Sequence, residues 1–237
     1  MLHVFIGYDA REHAAFEVCA ASLRAHTSIP LAIVGLKQDK LRERGIYTRP
    51  ADEPASTEFA HTRFLVPYLC GYKGTALFVD CDFLFTRDIK SLLDFVRGEQ
   101  DKVQPVQYGV ALVKHDYTPK AAFKMDGQPQ VAYPRKNWSS LMLFNNPQCR
   151  QLTPEYVNSA KAADLHRFNW IAEHQILGVP QTWNWLEGEY EWESAQPPAG
   201  IHYTNGGPWF YNHKSVRFAD LWVHAAAEIE AQRANKQ

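Results

Sequence analysis

What the sequence lacks narrows it before any motif does. No apolar run approaches the ~20 residues that a helix needs to cross a bilayer, and Leu2 to Asp9 is too short and wrongly flanked for a signal peptide. Neither sign of charge is in surplus, with 25 Lys and Arg against 26 Asp and Glu. A nucleic-acid footprint needs a basic excess, so no nucleic-acid partner is expected. Cysteine is scarce, and Cys19, Cys70, Cys81 and Cys149 form no C-x-x-C pair and no disulfide-like spacing. They read as small buried apolar residues in a reducing compartment, so a cytoplasmic location is expected. There is no internal repeat, linker or low-complexity segment. One folding unit is therefore expected over the 237 residues.

What is present is an ordinary globular composition, 46% apolar and 22% charged. Aromatics are plentiful, with 7 Trp and 11 Tyr, many of them in the second half. The stretch that organises the chain is Gly74 to Thr86, GTALFVDCDFLFT. Thr75 to Val79 has the composition of a strand covered on both faces. Asp80 and Asp82 stand where it ends, and side chains two apart on extended backbone point the same way. Two carboxylates so placed repel, and burial makes ionising both harder. A divalent cation resolves the conflict, because hard cations prefer oxygen ligands. Asp-x-Asp alone arises by chance about once in a chain this long, so the weight lies on its position after a buried strand.

Around that centre the chain alternates. Leu2 to Gly7 reads as a first strand, and Asp9 with Glu12 resembles a capping pair. A helix then carries Ala15, Phe16, Cys19, Ala20 and Leu23 on one face, and Leu31 to Leu36 is a second strand. These form a right-handed βαβ unit. Leu41 to Arg44 suggests a helical turn, Ile46 to Thr48 a short strand, Pro50 to Pro54 a loop, and Thr57 to Tyr72 a helix interrupted by Pro67. Asp88 caps a helix with Ile89, Leu92, Leu93 and Val96 on one side. Tyr108 to Val113 and Leu141 to Phe144 read as strands, with an irregular excursion over Pro119 to Pro134 between them. Thr153-Pro154 opens a helix, Phe168 to Leu177 suggests another, Ile201 to Thr204 is a late strand, and Val216 to Gln232 closes the chain as a helix. Glu187, Glu189, Glu191 and Glu193 alternate as on one strand face, read as a solvated edge. The pattern argues an open α/β sheet, whose ligands bind beyond the carboxyl ends of the strands.

A strand ending in Val79-Asp80-Cys81-Asp82, the segment TRFLVPYL at 62–69 and the late IHYTNGGPW at 201–209 together resemble the retaining glycosyltransferases of family 8. The resemblance implies the GT-A fold, an open mixed sheet with a Rossmann-like nucleotide-binding half over about 1–115. An acceptor- and metal-completing half would follow over about 116–237. It implies a UDP-sugar or similar donor, a carbohydrate or other hydroxyl acceptor, and Mn²⁺ or Mg²⁺ as the ion. Tyr8 and Asp9 match positions around the uracil and ribose, and Arg63 an arginine near the diphosphate. Asp80 and Asp82 match the metal motif, with Cys81 between them at the donor, and His202 matches the third protein ligand. Two carboxylates and an imidazole suit Mn²⁺ or Mg²⁺ better than zinc.

The departures are specific. Asn137-Trp138-Ser139-Ser140 stands where the family has Asn-Ser/Ala-Gly. Glu173-His174 replaces Asp-Gln near the reacting carbon and supplies the catalytic candidates. Gly207 stands where the family has a phosphate-contacting lysine, so the Gly206-Gly207 backbone or Lys214 is expected to take that role. These losses motivate a second possibility, a catalytically silent nucleotide-sugar-binding protein. A haloacid-dehalogenase-type phosphohydrolase fits less well. It would want its Asp-x-Asp on the first strand, Thr or Val at the position of Leu84, and a later Gly-Asp-x-x-x-Asp. A sugar-nucleotide pyrophosphorylase is disfavoured because no glycine-rich loop follows Gly7-Tyr8-Asp9. His202 is one of ten histidines, Trp183, Trp185, Trp192 and Trp209 suit core packing as well as sugar stacking, and a helical Glu173 is ordinarily solvated.

Overall fold

The computed structural model describes residues 1–50, 57–102, 105, 107–118 and 134–235. β1 (Leu2–Gly7) passes through a single 3-10 turn into α1 (His13–Ala25) and then β2 (Leu31–Leu36). β2 pairs parallel with β1, which forms the expected βαβ unit. After α2 (Gln38–Glu43) and α3 (Val66–Leu69), β3 (Thr75–Val79) pairs parallel with the other side of β1. Strand order therefore reverses at β1, which opens a crevice beyond the carboxyl ends of β1 and β3. Val4, Ile6, Ala76, Leu77, Phe78 and Val79 are fully enclosed. Each large apolar side chain so enclosed contributes roughly 1.5–3 kcal/mol, so the strands that deliver the acids are firmly anchored.

β4 (Phe83–Phe85) and α4 (Lys90–Lys102) follow, then β5 (Val110–Leu112) and β6 (Leu141–Asn145). β6 runs antiparallel to β3 with Leu141 opposite Val79, so its entry at 137–140 lies beside the exit of β3. Beyond α5 (Pro154–Ser159) and α6 (Ala162–His166), β7 (Ile176–Gly178) pairs parallel with β5. The six-stranded order is β2-β1-β3-β6-β5-β7. A second sheet sets β4 beside β9 (Gly200–His202) and β9 beside β8 (Trp185–Leu186). α7 (Ala219–Ala234) packs on α1 and buries Trp222.

Caps read from the sequence are in place at two helices. The Lys90 N–H donates to Asp88 Oδ1 at 2.9 Å, and the Tyr156 N–H donates to Thr153 Oγ1 at 3.2 Å. Four expectations are corrected. Ile46 to Thr48 is not a strand, and the segment from Thr57 is a 3-10 turn at Thr62–Leu65 plus the single turn of α3, with Pro67 in its first turn. Phe168 to Leu177 is not a helix: Phe168 takes a φ of 59°, and Ile176–Gly178 is drawn into the sheet by β5. The Glu187 to Glu193 alternation is not a strand face, because β8 ends at Leu186 and Gly188 turns the chain at a φ of 76°. The expected excursion at 119–134 lies outside the described residues except for Pro134, and the 50–54 loop lies outside them except for Pro50. Among the described residues no helix is long and apolar enough to cross a membrane.

Candidate active site

The register of two sheets builds the centre of the crevice. Asp80 leaves β3 with its N–H donating to the Ser140 carbonyl at 2.9 Å, which fixes it against the entry of β6. Asp82 comes just before β4, and β4 pairs antiparallel with β9 so that Phe83 faces His202. The Tyr203 N–H closes that end by donating to the Asp82 carbonyl at 3.0 Å. One oxygen from each aspartate and one ring nitrogen of His202 consequently lie within 4.8 Å of one another. His202 Nε2 stands 3.3 Å from Asp82 Oδ2. Its ring stacks on Phe83, with centroids 4.4 Å apart and an interplanar angle of 18°. Two carboxylates and a buried imidazole are the donor set of a site for a hard or borderline divalent cation.

Arg63 supplies the neighbouring positive charge. Its Nη1 is 2.8 Å from Asp80 Oδ1 and also donates to the Ser139 carbonyl at 2.9 Å. The guanidinium lies 5.2 Å from the Phe59 ring centroid and 5.0 Å from that of Phe78. It is 5% exposed, so it is a built part of the crevice rather than a surface arginine.

The other expected residues fall into distinct places. Tyr8 is half-buried after β1, with the Lys37 ammonium 4.3 Å from its ring centroid. Asp9 is fully buried, and its carboxylate accepts from Arg11 Nε and Nη2 and from the Arg11 and Glu58 backbone N–H groups. Burial works to raise its pKa, but the Arg11 hydrogen bonds and charge outweigh it and hold the carboxyl below its usual range. The Cys81 thiol faces inward and donates to Glu12 Oε2 at 3.1 Å, with burial pushing its pKa well up. Gly206 has a φ of 114°, and a Cβ on Gly207 would stand 2.0 Å from the Trp209 ring. Lys214 and His174 are exposed. Glu173 lies on a 3-10 turn, with Arg135 Nη2 at 2.7 Å and Lys114 Nζ at 3.3 Å. Desolvation opposes its ionisation, and those two cations outweigh it and hold its pKa down.

Three side chains belong to this region that motif reading passes over. Glu12 turns inward under the Asp80–Asp82 turn, not back to cap its helix, and is 2% exposed. Burial first, then the charge of Asp82, pushes its pKa up to about 8 against the opposing Cys81 hydrogen bond. Asn184 is fully buried between the 137–140 turn and His202. His115, just beyond β5, is pushed down to about 3 by burial and by His202, and its Nδ1 lies 3.0 Å from the Tyr190 hydroxyl. Asn137 takes a φ of 62°, a left-handed conformation that asparagine tolerates, and donates to the Tyr117 and Thr204 hydroxyls at 2.8 and 3.1 Å. No local pattern marks Asn184, and the one at Glu12 points to a cap, since both side chains act through the tertiary fold.

Solved structures that share this architecture include glycosyltransferases. The galactosyltransferase LgtC, solved with donor and acceptor sugar analogs, superposes with a TM-score of 0.61 at 11% identity over 96% of each chain. The bifunctional WbbM gives a TM-score of 0.64 at 17% identity, over 95% of this chain and 49% of that one. GlyE of Streptococcus pneumoniae gives 0.58 at 13% identity, over 95% of this chain and 60% of that one. This chain thus spans about half of WbbM and three fifths of GlyE. The fold is that of a GT-A glycosyltransferase, as the motifs led us to expect. No protein-family model matches the sequence. The chain belongs to the family of Protein CDI of Arabidopsis thaliana, with which it is 46% identical over 234 residues, 97% of this chain and 87% of that protein.

Proposed function

We propose that the chain is a metal-dependent glycosyltransferase that moves a sugar from a UDP-sugar, or a similar nucleotide sugar, to an acceptor hydroxyl with retention of configuration. One observation carries this: Asp80, Asp82 and His202 converge from distant segments at the point of a GT-A-type sheet where strand order reverses. Those three residues would hold Mn²⁺ or Mg²⁺, which when bound supplies positive charge to a departing nucleoside diphosphate. Arg63 adds a fixed cation beside Asp80. The Gly206 N–H is already donated to the Tyr203 carbonyl, so the Gly207 N–H is the better phosphate donor of the pair. Lys214, exposed in the same loop, is the alternative. Tyr8, with Lys37 against its ring, offers a flat face to a base, and Asp9 braces the turn that presents it. Glu173 and His174 are assigned to the sugar side. A carboxylate held by Lys114 and Arg135 is a poor nucleophile, which favours same-face transfer over a covalent intermediate on Glu173.

The same ion pairs favour the second possibility, a catalytically silent nucleotide-sugar binder. Calorimetry with UDP, with and without Mn²⁺, beside a donor-hydrolysis assay over a broad acceptor panel separates the two. We expect UDP affinity to fall at least about tenfold in chelator and the donor to be turned over. Equal affinity in chelator would remove the metal assignment, and tight binding without turnover would leave the silent binder.

A further inference from the structure

We propose that Asn184 is a positioning residue: it sets the tautomer of His202 and thereby aims the lone pair of Nε2 into the Asp80–Asp82 cluster. The proposal rests on the metal reading above only for what the lone pair would bind.

One group beside Asn184 has no freedom of role. The Asn137 backbone carbonyl can only accept. Ser140 Oγ donates to it at 2.7 Å, which uses the one hydroxyl proton of Ser140. Ser140 Oγ must then accept from Asn184, 2.8 Å away, so the Asn184 amide nitrogen, not its oxygen, faces that side. The same nitrogen lies 3.4 Å from the Asn137 carbonyl, which also calls for a donor. Asn184 Oδ1 is thereby turned to His202 Nδ1 at 2.9 Å. An amide oxygen can only accept, so Nδ1 carries the proton. In the neutral ring Nε2 is then bare, and it stands 3.3 Å from Asp82 Oδ2. A lone pair facing a carboxylate oxygen is unfavourable by itself and becomes favourable with a cation between them. A single backbone carbonyl, held by the left-handed turn at Asn137, is relayed through two side chains into the proton placement of a third.

Neither residue of the same branched shape serves here. Aspartate accepts from Nδ1 but cannot donate to Ser140, and leucine, with the same branching, does neither. Asn184 is fully buried, so water cannot stand in for it. Partners of this kind that fix a ligand ring typically change metal affinity by roughly ten- to a hundredfold when lost.

The test is ¹⁵N NMR of the imidazoles in metal-free full-length protein at about pH 8.5, where an ordinary imidazole is neutral, with His202→Ala assigning the resonance. Mn²⁺ affinity is measured alongside, without nucleotide. The parent should show His202 protonated on Nδ1, and Asn184→Leu should show mixed tautomers with Mn²⁺ affinity down roughly ten- to a hundredfold. Asn184→Asp, which keeps the acceptor, should retain the Nδ1–H tautomer. A purely structural Asn184 would change melting temperature and leave the tautomer alone. An Nε2–H ring in the parent overturns the proposal, as does an unchanged tautomer in Asn184→Leu. If the leucine variant does not fold, the parent spectrum and the aspartate variant decide. If the parent binds no Mn²⁺, the metal reading fails, and the tautomer alone decides the role of Asn184.

Discussion

The crevice has two walls of different construction. One is β1 and β3, central strands whose side chains are mostly enclosed and whose register is set by continuous parallel pairing. It delivers Asp80 and Asp82. The other is the three-stranded sheet, in which β9 is three residues long and β8 only two. It delivers His202, and it depends on Asn184, Phe83 and the Tyr203–Asp82 backbone bond for placement. The first wall holds its acids through bulk burial, the second holds its imidazole through a few directed contacts. Changes to the first wall should therefore alter charge without altering shape, and changes to the second should alter geometry.

The largest effect is expected at the first wall. Asp82→Asn keeps the volume and removes one charge from a cluster that repels itself. Turnover of donor should fall on the order of 10²-fold or more, while melting temperature stays level or rises. Steady-state rates and a thermal melt of the same preparation check this. A folded variant with near-parental turnover would remove the site.

Glu12 tests the same wall through pH. Its folded pKa is raised, to about 8 from an ordinary 4.5, so the folded chain holds a proton that the unfolded chain releases. Stability from this group is therefore fully present below about pH 4.5 and falls as pH rises toward about 8. Each pH unit in that window costs up to about 1.4 kcal/mol. Glu12→Gln removes the slope. Denaturant melts in chelator should show parent and variant similar near the acid end and the variant more stable by a few kcal/mol on the alkaline side. Parallel curves would mean that Glu12 ionises normally.

At the second wall the test is steric. A Cβ on Gly200 would stand 2.4 Å from the Trp183 carbonyl oxygen, and backbone cannot step aside as a side chain end can. Gly200→Ala should cost about 1–3 kcal/mol. Because β9 carries His202 two residues on, Mn²⁺ affinity should weaken with it. A loss of stability with unchanged affinity would show that the two walls are less coupled than the register implies.

What could be read from sequence follows the same division. Thr75 to Val79 with Asp80 and Asp82 was legible because burial, strand end and carboxylate spacing coincide in eight residues. Leu2 to Gly7 and the α1 face were legible from local periodicity. His202 was found only through resemblance, since the pairing of β4 with β9 that brings it to Asp82 leaves no local trace. Glu12 misled because Asp9-x-x-Glu12 is also the pattern of a capping pair, and only the tertiary fold turns its side chain toward Cys81. Phe168 to Leu177 misled because a three-residue strand taken up by β5 has no period of its own. Asn184 sits between two tryptophans and looks like loop, although it is fully buried.

The smallest effect is a control that separates local from tertiary causes. Thr153 caps α5 by accepting the Tyr156 N–H at 3.2 Å, and Pro154 takes the first helical turn. This is a cap read directly from the sequence, and no residue of the Asp80–Asp82–His202 cluster touches it in the bonds that define that cluster. Thr153→Ala should therefore cost about 1 kcal/mol, the ordinary loss for a removed N-cap. It should leave Mn²⁺ and UDP affinity where they were. α5 also packs against the Thr62–Leu65 turn that carries Arg63. If capping and packing are separable, the stability loss stands alone. If UDP affinity falls with it, the path runs through Arg63, and the first wall is less self-sufficient than its burial suggests. A urea melt and a UDP titration on one preparation distinguish the outcomes.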